Sequence, residues 1–353
     1  MRSSATVLNR RRATRYARTA HAAPRATARR RPSAARKRAR VDGRPTRQAY
    51  APGYAVAAMP GPNFFVVGAP KAATTALYHA LRQHEHVFLP EVKEPHFYAY
   101  VADRSVAGHL YPDPATARRG YGELYSGVAG ETAIGDTSTS NLVVPGAAAA
   151  IAADVPAARI VAILRHPVDR AFAHWSHFRA AGGEPIADFA EAVRQERPRQ
   201  ERGFPVTYRY LDWGRYSTQL PAFVEHFGRD RVLVHLYDDL CADPDAVVRG
   251  TLRFLGLDDD AGAAPSVERH NEKPVPRLPA LQRALEGRGR AGRVVRAAVP
   301  AGARQTIAGW SRERLSHTPV LDPELRAELA TQFTEEVSRL EELVGRDLSA
   351  WRS

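Results

Sequence analysis

Residues 1–58 string Arg, Ala, Thr and Pro together with few large aliphatics, and apolar patterning starts only at Asn63. From there Asn63 to Gly68, read as NFFVVG, is an aromatic and β-branched run closed by glycine, the pattern of a strand buried on both faces. After the turn Ala69 to Ala73, the stretch Thr74 to Gln83 sets Leu77, Ala80 and Leu81 at helical spacing with no internal Gly or Pro. Further strands are predicted at Val87 to Leu89, Thr132 to Asp136, Arg159 to Leu164 and Arg231 to Tyr237. Pro167 is placed for the first turn of a helix running to Ala180, because its fixed φ suits that position. Asp243-Pro244 opens another helix, with Val247, Val248, Leu252, Phe254 and Leu255 towards the core. A last continuous helix is predicted over Pro323 to Val344, capped by Asp322, with Leu325, Leu329, Phe333, Val337, Leu340 and Leu343 as its apolar stripe. Strands alternating with helices predict an α/β fold with a central parallel sheet flanked by helices.

Charge changes the picture at one end only. The chain of 353 residues carries a formal +13, but residues 1–50 hold 16 Lys and Arg against the single acid Asp42, and the remaining 35 basic and 37 acidic residues nearly cancel. A segment that basic and that poor in apolar side chains cannot offset its ordering entropy, so residues 1–58 are expected to be a disordered extension and residues 59–353 the folded domain. The extension has three readings: a polybasic arm for nucleic acid or anionic membrane, a transit-like segment, or a solvated tail. Met59 offers an internal start that would remove it. A second basic stretch, Arg277 to Arg314, sets nine arginines against Glu286 and Glu313; it reads as a solvated face or as a flank that draws in anions. The lone Cys241 excludes internal disulfides and thiolate metal clusters and suits a reducing compartment, so a cytoplasmic location is expected. No uncharged apolar run approaches the roughly 18 to 20 residues of a membrane span.

The chemistry concentrates after the first strand. A strand ending in Gly68, a tight turn and a helix starting at Thr74-Thr75 aim backbone N–H groups and the positive end of the helix dipole at one point, where anions bind. Lys71 adds a point charge there. The nucleotide-triphosphatase pattern G-x-x-x-x-G-K followed by Ser or Thr is absent, and so is the dinucleotide pattern G-x-G-x-x-G, which removes most support for ordinary ATPase and dehydrogenase readings. His174 and His177 share a helical face but have no carboxylate or cysteine partner at matching spacing, so no metal is expected.

The segments GAPKAATTALYHAL and VFLPEVKEPHFYA resemble the donor-binding and catalytic segments of sulfotransferases that use 3′-phosphoadenosine 5′-phosphosulfate (PAPS). ARIVAILRHPVDRAFAHW resembles the strand and helix that hold the donor's 3′-phosphate, and GDTSTSNL, GRYSTQLPAFVEHFG, RVLVHLYDDL, HNEKPVPR and the closing LDPELRAELATQF extend the likeness from Pro62 to Trp351. The nearest pattern is that of bacterial members of the group that includes the heparan-sulfate sulfotransferases. This resemblance implies a P-loop-like three-layer fold, with a central parallel sheet flanked by helices, and roles for particular residues. Lys71 would sit by the oxygen bridging phosphate and sulfur, while Ala72, Ala73, Thr74 and Thr75 cradle the 5′-phosphate. Glu94 would be the general base, with His96 orienting it or standing in as base. Arg165 would hold the 3′-phosphate, and Arg269, Asn271, Lys273 and Arg277 would belong to the loop that closes over the adenosine. Asp136 and Ser138 fall near the acceptor, Asp136 either orienting it or pairing with a cation. Two departures stand out: Ala173 replaces the serine that usually donates to the 3′-phosphate, and Ala73 replaces the glycine before the threonines.

The expected activity is sulfuryl transfer from PAPS to a hydroxyl or amine of a carbohydrate or secondary metabolite, an in-line displacement that requires no metal. The rivals are a P-loop kinase or other phosphotransferase, and a polyanion or nucleic-acid binder acting through the basic tail. Acceptor pockets are expected in Tyr98 to Tyr125 and Gly182 to Tyr216, with Tyr208, Tyr210 and Trp213 as a platform or as packing.

Overall fold

A computed structural model describes residues 61–108, 110–257, 300 and 319–352, together with the backbone of 275–276 and 316–317. The extension 1–58, the arginine-rich stretch apart from Pro300, and Arg269, Asn271, Lys273 and Arg277 lie outside the described residues.

The first strand, β1 (Phe64–Gly68), is buried at every position, as its unbroken apolar run requires. It leads through residues 69–73 into α1 (Thr74–Leu81) and then β2 (Val87–Phe88). Next come α2 (Phe97–Ala102), α3 (Pro114–Glu123), β3 (Ala133–Asp136), α4 (Ser140–Val143) and α5 (Ala147–Asp154). β4 (Arg159–Leu164) and α6 (Pro167–Ala180) follow with the predicted bounds, and α6 starts with Pro167 at its first turn and with His166 Nδ1 accepting the Asp169 N–H. After α7 (Phe189–Arg194), α8 (Glu196–Glu201) and α9 (Tyr216–Phe227) the chain forms β5 (Val232–Leu236), α10 (Tyr237–Ala242) and α11 (Pro244–Leu255). Asp243 caps α11 by accepting the Ala246 N–H at 2.9 Å, and Gly256 ends it in the left-handed conformation, φ 80°.

These strands make one parallel sheet in the order β2-β3-β1-β4-β5. The register pairs Phe64 with Gly135 on one side and with Arg159 on the other, and Ile160 to Leu164 run in step with Val232 to Leu236. Helices form a layer on each side: α4 lies on β1 and α9 on β4 and β5, while α11 packs on β5 and on α1. A separate two-stranded antiparallel pair, β6 (Val275–Pro276) and β7 (Ser316–His317), lies against α6.

One predicted element divides. The helix expected over Pro323 to Val344 is two, α12 (Pro323–Thr331) and α13 (Thr334–Val344), although no Gly or Pro separates them. Asp322 caps α12 as expected, accepting the Glu324 and Leu325 N–H groups. The cause of the break is tertiary. Phe333 leaves helical geometry at φ −105°, ψ 3°, and is completely buried under the Arg215 guanidinium. The turn brings Glu336 to the start of α9, where its carboxylate accepts the Ser217 N–H at 2.5 Å and the Ser217 hydroxyl at 2.8 Å. An anion at a helix N-terminus satisfies unpaired N–H groups and the dipole together.

The sheet leaves no room for a side chain at Gly135 on β3. A Cβ there would lie 2.3 Å from Phe64 Cζ and 2.6 Å from Leu89 Cδ2. Gly135→Ala is therefore expected to destabilise the protein by about 1–3 kcal/mol, the usual cost of overpacking a core. Urea unfolding followed by tryptophan fluorescence measures it.

Candidate active site

β1 is central and has neighbours from different parts of the chain on its two sides, so the loops leaving the carboxyl ends of β1, β3, β4 and β5 gather along one edge. Ligands of open α/β sheets bind at such an edge. Gly68 ends β1 against α4; a Cβ there would come 2.7 Å from Leu142 Cβ, so glycine permits the approach. The loop then turns through two residues in the left-handed region, Lys71 at φ 69° and Ala73 at φ 63°. No side chain caps α1. Its first N–H groups thus have no side-chain partner from Ala73, Thr74 is buried, and Thr75 and Lys71 are half-buried beside them. A helix start of this geometry can accept an anion.

Arg165, at the end of β4, reaches into the same loop. Its Nη1 donates to the Lys71 carbonyl at 3.2 Å, its guanidinium lies 4.5 Å over the Tyr237 ring, and its own carbonyl accepts the Tyr216 hydroxyl at 2.9 Å. The two cations predicted for the donor phosphates are therefore joined by the fold. Ala173 is buried two turns into α6. The next residue, His174, stacks on Trp213 at 4.6 Å and stays neutral: burial first, and then the charges of Arg170, Lys71 and His177, push its pKa well below the usual imidazole range. Its Nδ1 has no hydrogen-bond partner among the described residues.

The second half of the site joins the loop after β2 to the segment after β3 through four hydroxyls. Thr137 Oγ1 donates to the Lys93 carbonyl at 2.6 Å, and Ser138 Oγ accepts the His96 N–H at 2.9 Å. Thr139 Oγ1 donates to Glu94 Oε2 at 2.9 Å, and Ser140 Oγ meets His96 Nδ1 at 2.8 Å. Lys93 Nζ lies 2.7 Å from Glu94 Oε1, and His96 Nε2 lies 3.7 Å from Glu94 Oε2. Burial opposes the Glu94 charge, but Lys93, His96 and the bonds from Lys93 and Thr139 outweigh it and lower the pKa to about 2. His96 itself is left-handed, φ 57°.

Asp136 sits behind this cluster and is completely buried. One carboxylate oxygen accepts the Ser138 N–H at 2.7 Å and the other the Tyr121 hydroxyl at 2.7 Å, so it reaches the site through Ser138 and not by contact. Burial pushes its pKa up, and those two bonds and the nearby His96 offset this only in part.

Tyr208 and Tyr210 are packing and not a platform. Glu184 and Arg199 form a buried pair at 2.6 Å, the Tyr210 hydroxyl donates to Glu184 at 2.6 Å, and the Tyr208 hydroxyl donates to the Gly183 carbonyl at 2.9 Å. Sequence reasoning missed Lys93, Thr139, Ser140, Tyr216 and Tyr237. For Thr139 and Ser140 a signal existed in the unbroken run Thr137-Ser138-Thr139-Ser140 at a strand end, four hydroxyls where a sheet edge needs few. Among the described residues, no group of three His, Cys, Asp or Glu side chains is arranged to hold a metal ion.

Comparison with known proteins decides the family. Residues 62–261 match the Sulfotransferase family. The chain belongs to it. The crystal structure of a sulfotransferase from Alicyclobacillus acidocaldarius superposes with a TM-score of 0.63 at 30% identity, covering 83% of this chain and 99% of that one. A stretch of 110 residues, 30% of this chain, is 32% identical to the bifunctional heparan sulfate N-deacetylase/N-sulfotransferase 1 of Xenopus laevis. A longer stretch of 207 residues, 56% of this chain, is 26% identical to the human N-deacetylase/N-sulfotransferase 2. These matches span only 12% and 22% of the two relatives' lengths. The protein is a sulfotransferase with a central parallel sheet of five strands.

Two predictions follow from the geometry. An alanine held at φ 63° costs about 1–2 kcal/mol that glycine does not. Ala73→Gly is thus expected to raise the melting temperature, as calorimetry would show. The second concerns Glu94, whose folded pKa of about 2 lies below its ordinary 4.5, so its pairing stabilises the fold above pH 4.5 and is lost as pH falls towards 2. Lys93→Met removes part of that contribution. The variant should melt below the wild type at neutral pH, with the gap narrowing as the pH is lowered from 4.5.

Proposed function

We propose that this sulfotransferase moves the sulfuryl group of PAPS to a hydroxyl or amine of a carbohydrate or secondary-metabolite acceptor, in a single domain comprising residues 59–353. The observation that supports it most directly is the joining of Lys71 and Arg165 at an uncapped helix N-terminus, with a carboxylate and an imidazole fixed after the adjoining strands. Two anionic groups of one donor match two cations at one edge of the sheet, Lys71 after β1 and Arg165 after β4.

In this reading the N–H groups of Ala72, Ala73, Thr74 and Thr75 and the two threonine hydroxyls hold the 5′-phosphate, and Lys71 neutralises the charge that grows on the bridging oxygen as the sulfur–oxygen bond breaks. Arg165 takes the 3′-phosphate, its planar fork suited to two oxygens. The stack on Tyr237 and the Tyr216 bond to its carbonyl hold it in place. Arg269, Asn271, Lys273 and Arg277 close over the adenosine. The Glu94 and His96 pair removes the acceptor's proton, while Asp136 and Ser138 support the His96 backbone. No metal is assigned a step. Two relatives are named heparan sulfate N-deacetylase/N-sulfotransferases, which favours a carbohydrate acceptor. A cytoplasmic location is proposed from the single cysteine; no helix among the described residues is long and apolar enough to cross a membrane.

Calorimetric titration of the full chain with 3′-phosphoadenosine 5′-phosphate, the spent donor, tests the reading, with ATP-Mg²⁺ as control. Binding stronger than that of ATP is expected. Lys71→Ala and Arg165→Ala should each weaken it by about 1.5–3 kcal/mol, the worth of a charged hydrogen bond. A folded protein that prefers ATP-Mg²⁺ would instead be a phosphotransferase of the P-loop kind. Binding that disappears only when residues 1–58 are removed would point to the polyanion-binding tail.

A further inference from the structure

Arg165 has a long side chain with many rotamers, and a ligand that had to order it would lose part of its binding energy in doing so. Three neighbours fix it beforehand: the Tyr237 ring under its guanidinium, the Tyr216 hydroxyl on its carbonyl, and His166, the next residue in the chain. Contacts around all three converge on one residue, Trp351, in the 3₁₀ turn Ser349–Arg352.

The Trp351 carbonyl accepts the His166 Nε2–H at 3.1 Å; the proton lies on Nε2 because Nδ1 accepts the Asp169 N–H. The Trp351 ring stands edge-on to the His166 ring, with centroids 6.2 Å apart, and to the Tyr216 ring at 6.4 Å. Its indole N–H donates to the Asp238 carboxylate at 3.3 Å, and Asp238 follows Tyr237 in the first turn of α10. Trp351 is buried, so a large apolar body with one polar edge bridges the starts of α6 and α10, the helices that leave β4 and β5. The turn that carries it is anchored in its own right. The Leu348 N–H reaches Glu341 Oε1 at 2.8 Å, Arg352 pairs with Glu341, and Arg346 forks onto both Asp239 oxygens at 2.6 and 3.0 Å. From α12, Arg326 holds Asp169 in the first turn of α6 at 2.8 and 3.2 Å. Partly exposed ion pairs of this kind contribute little energy each, but together they fix where the indole sits.

Building on the reading in which Arg165 takes the donor's 3′-phosphate, we infer that Trp351 is a positioning residue for that phosphate: by holding His166, Tyr216 and the start of α10 together, it sets the Arg165 guanidinium before the donor arrives. Trp351 acts through Arg165 and not by contact with the nucleotide. Its effect is confined to the 3′-phosphate, because the N–H groups and threonines proposed for the 5′-phosphate belong to the loop after β1 and to α1, which none of these contacts involve.

The experiment titrates the full chain with 3′-phosphoadenosine 5′-phosphate and, in parallel, with adenosine 5′-phosphate, which lacks the 3′-phosphate. Trp351→Leu is expected to lose about tenfold in affinity for the first, the scale of one charged hydrogen bond, with the second unchanged. Trp351→Phe keeps an aromatic ring and gives up the bond to Asp238, so it should lose no more than about threefold, as should Asp238→Ala, which removes the exposed partner of that bond. In an Arg165→Ala background, Trp351→Leu should weaken binding no further, since its effect passes through the missing guanidinium. A second readout needs no nucleotide. With ¹⁵N-labelled arginine, the Arg165 Nε–H signal, assigned by its loss in Arg165→Lys, should report an ordered side chain in the wild type and a mobile one in Trp351→Leu. A folded Trp351→Leu that binds both nucleotides as the wild type does, weakens both equally, or leaves the Arg165 signal ordered would overturn the inference. If Trp351→Leu does not fold, Trp351→Phe and Asp238→Ala decide, and a loss shared equally by the two nucleotides counts against it. A wild type that does not prefer the 3′-phosphorylated nucleotide would overturn the PAPS reading instead, and the Arg165 signal then decides whether Trp351 positions Arg165.

Discussion

Everything in this protein is hung on β1. Five consecutive residues, Phe64 to Gly68, are excluded from water on both faces and flanked by β3 and β4, so the strand has no freedom in depth, direction or register. Because the strands of its sheet all run parallel, each delivers its carboxyl end to the same edge. The loop after β1 carries Lys71 and the uncapped start of α1, the end of β4 supplies Arg165, and the segment after β3 supplies the four hydroxyls. Glycine at position 68 lets α4 press close to that edge.

Held at that edge, the polar groups are organised by charge and hydrogen bonding more than by shape. Lys93, Thr139 and His96 together overcome the burial cost of the Glu94 carboxylate, so its pKa lies below the usual carboxylate range beside an imidazole. Asp136 illustrates the opposite balance: its two good hydrogen bonds do not offset complete burial, and it serves as a rigid backstop for Ser138. Further out, the Glu184 and Arg199 pair ties the segment between α6 and α9 into one block by engaging Tyr210 and the Ile186 N–H as well. A buried pair of this kind adds little net stability over an apolar substitute but penalises every arrangement that separates it.

Backbone conformation is the other resource. Lys71, Ala73 and His96 all occupy the left-handed region at positive φ, and all three belong to the site. Strain of this sort persists only where the surroundings over-determine it. Here the surroundings are the ladder bond from the Ala69 N–H to the Ile163 carbonyl, the Arg165 bond to the Lys71 carbonyl and the Ser138 bond to the His96 N–H.

Much of this was legible in the sequence. The bounds of β4 and α6 follow from the run Arg159 to Leu164 and from Pro167, and the uncapped helix start with Lys71 before it follows from strand, turn and helix in succession, because local periodicity and backbone preference act within a few residues. The family likeness carried Glu94, His96 and Arg165 to positions that the fold brings to one edge. What stayed hidden is long-range. The split between α12 and α13 answers a carboxylate needed at α9 more than a hundred residues away in sequence, and no local breaker marks it. Likewise the bonds from Thr139 to Glu94 and from Ser140 to His96 cross more than forty residues. The sequence by itself determined which segments are strands and helices, and hence that their ends would meet at one edge. Only the tertiary structure decided which hydroxyl meets which carboxylate or ring nitrogen, because a hydrogen bond depends on ångström-scale distances between side chains that the chain order does not encode.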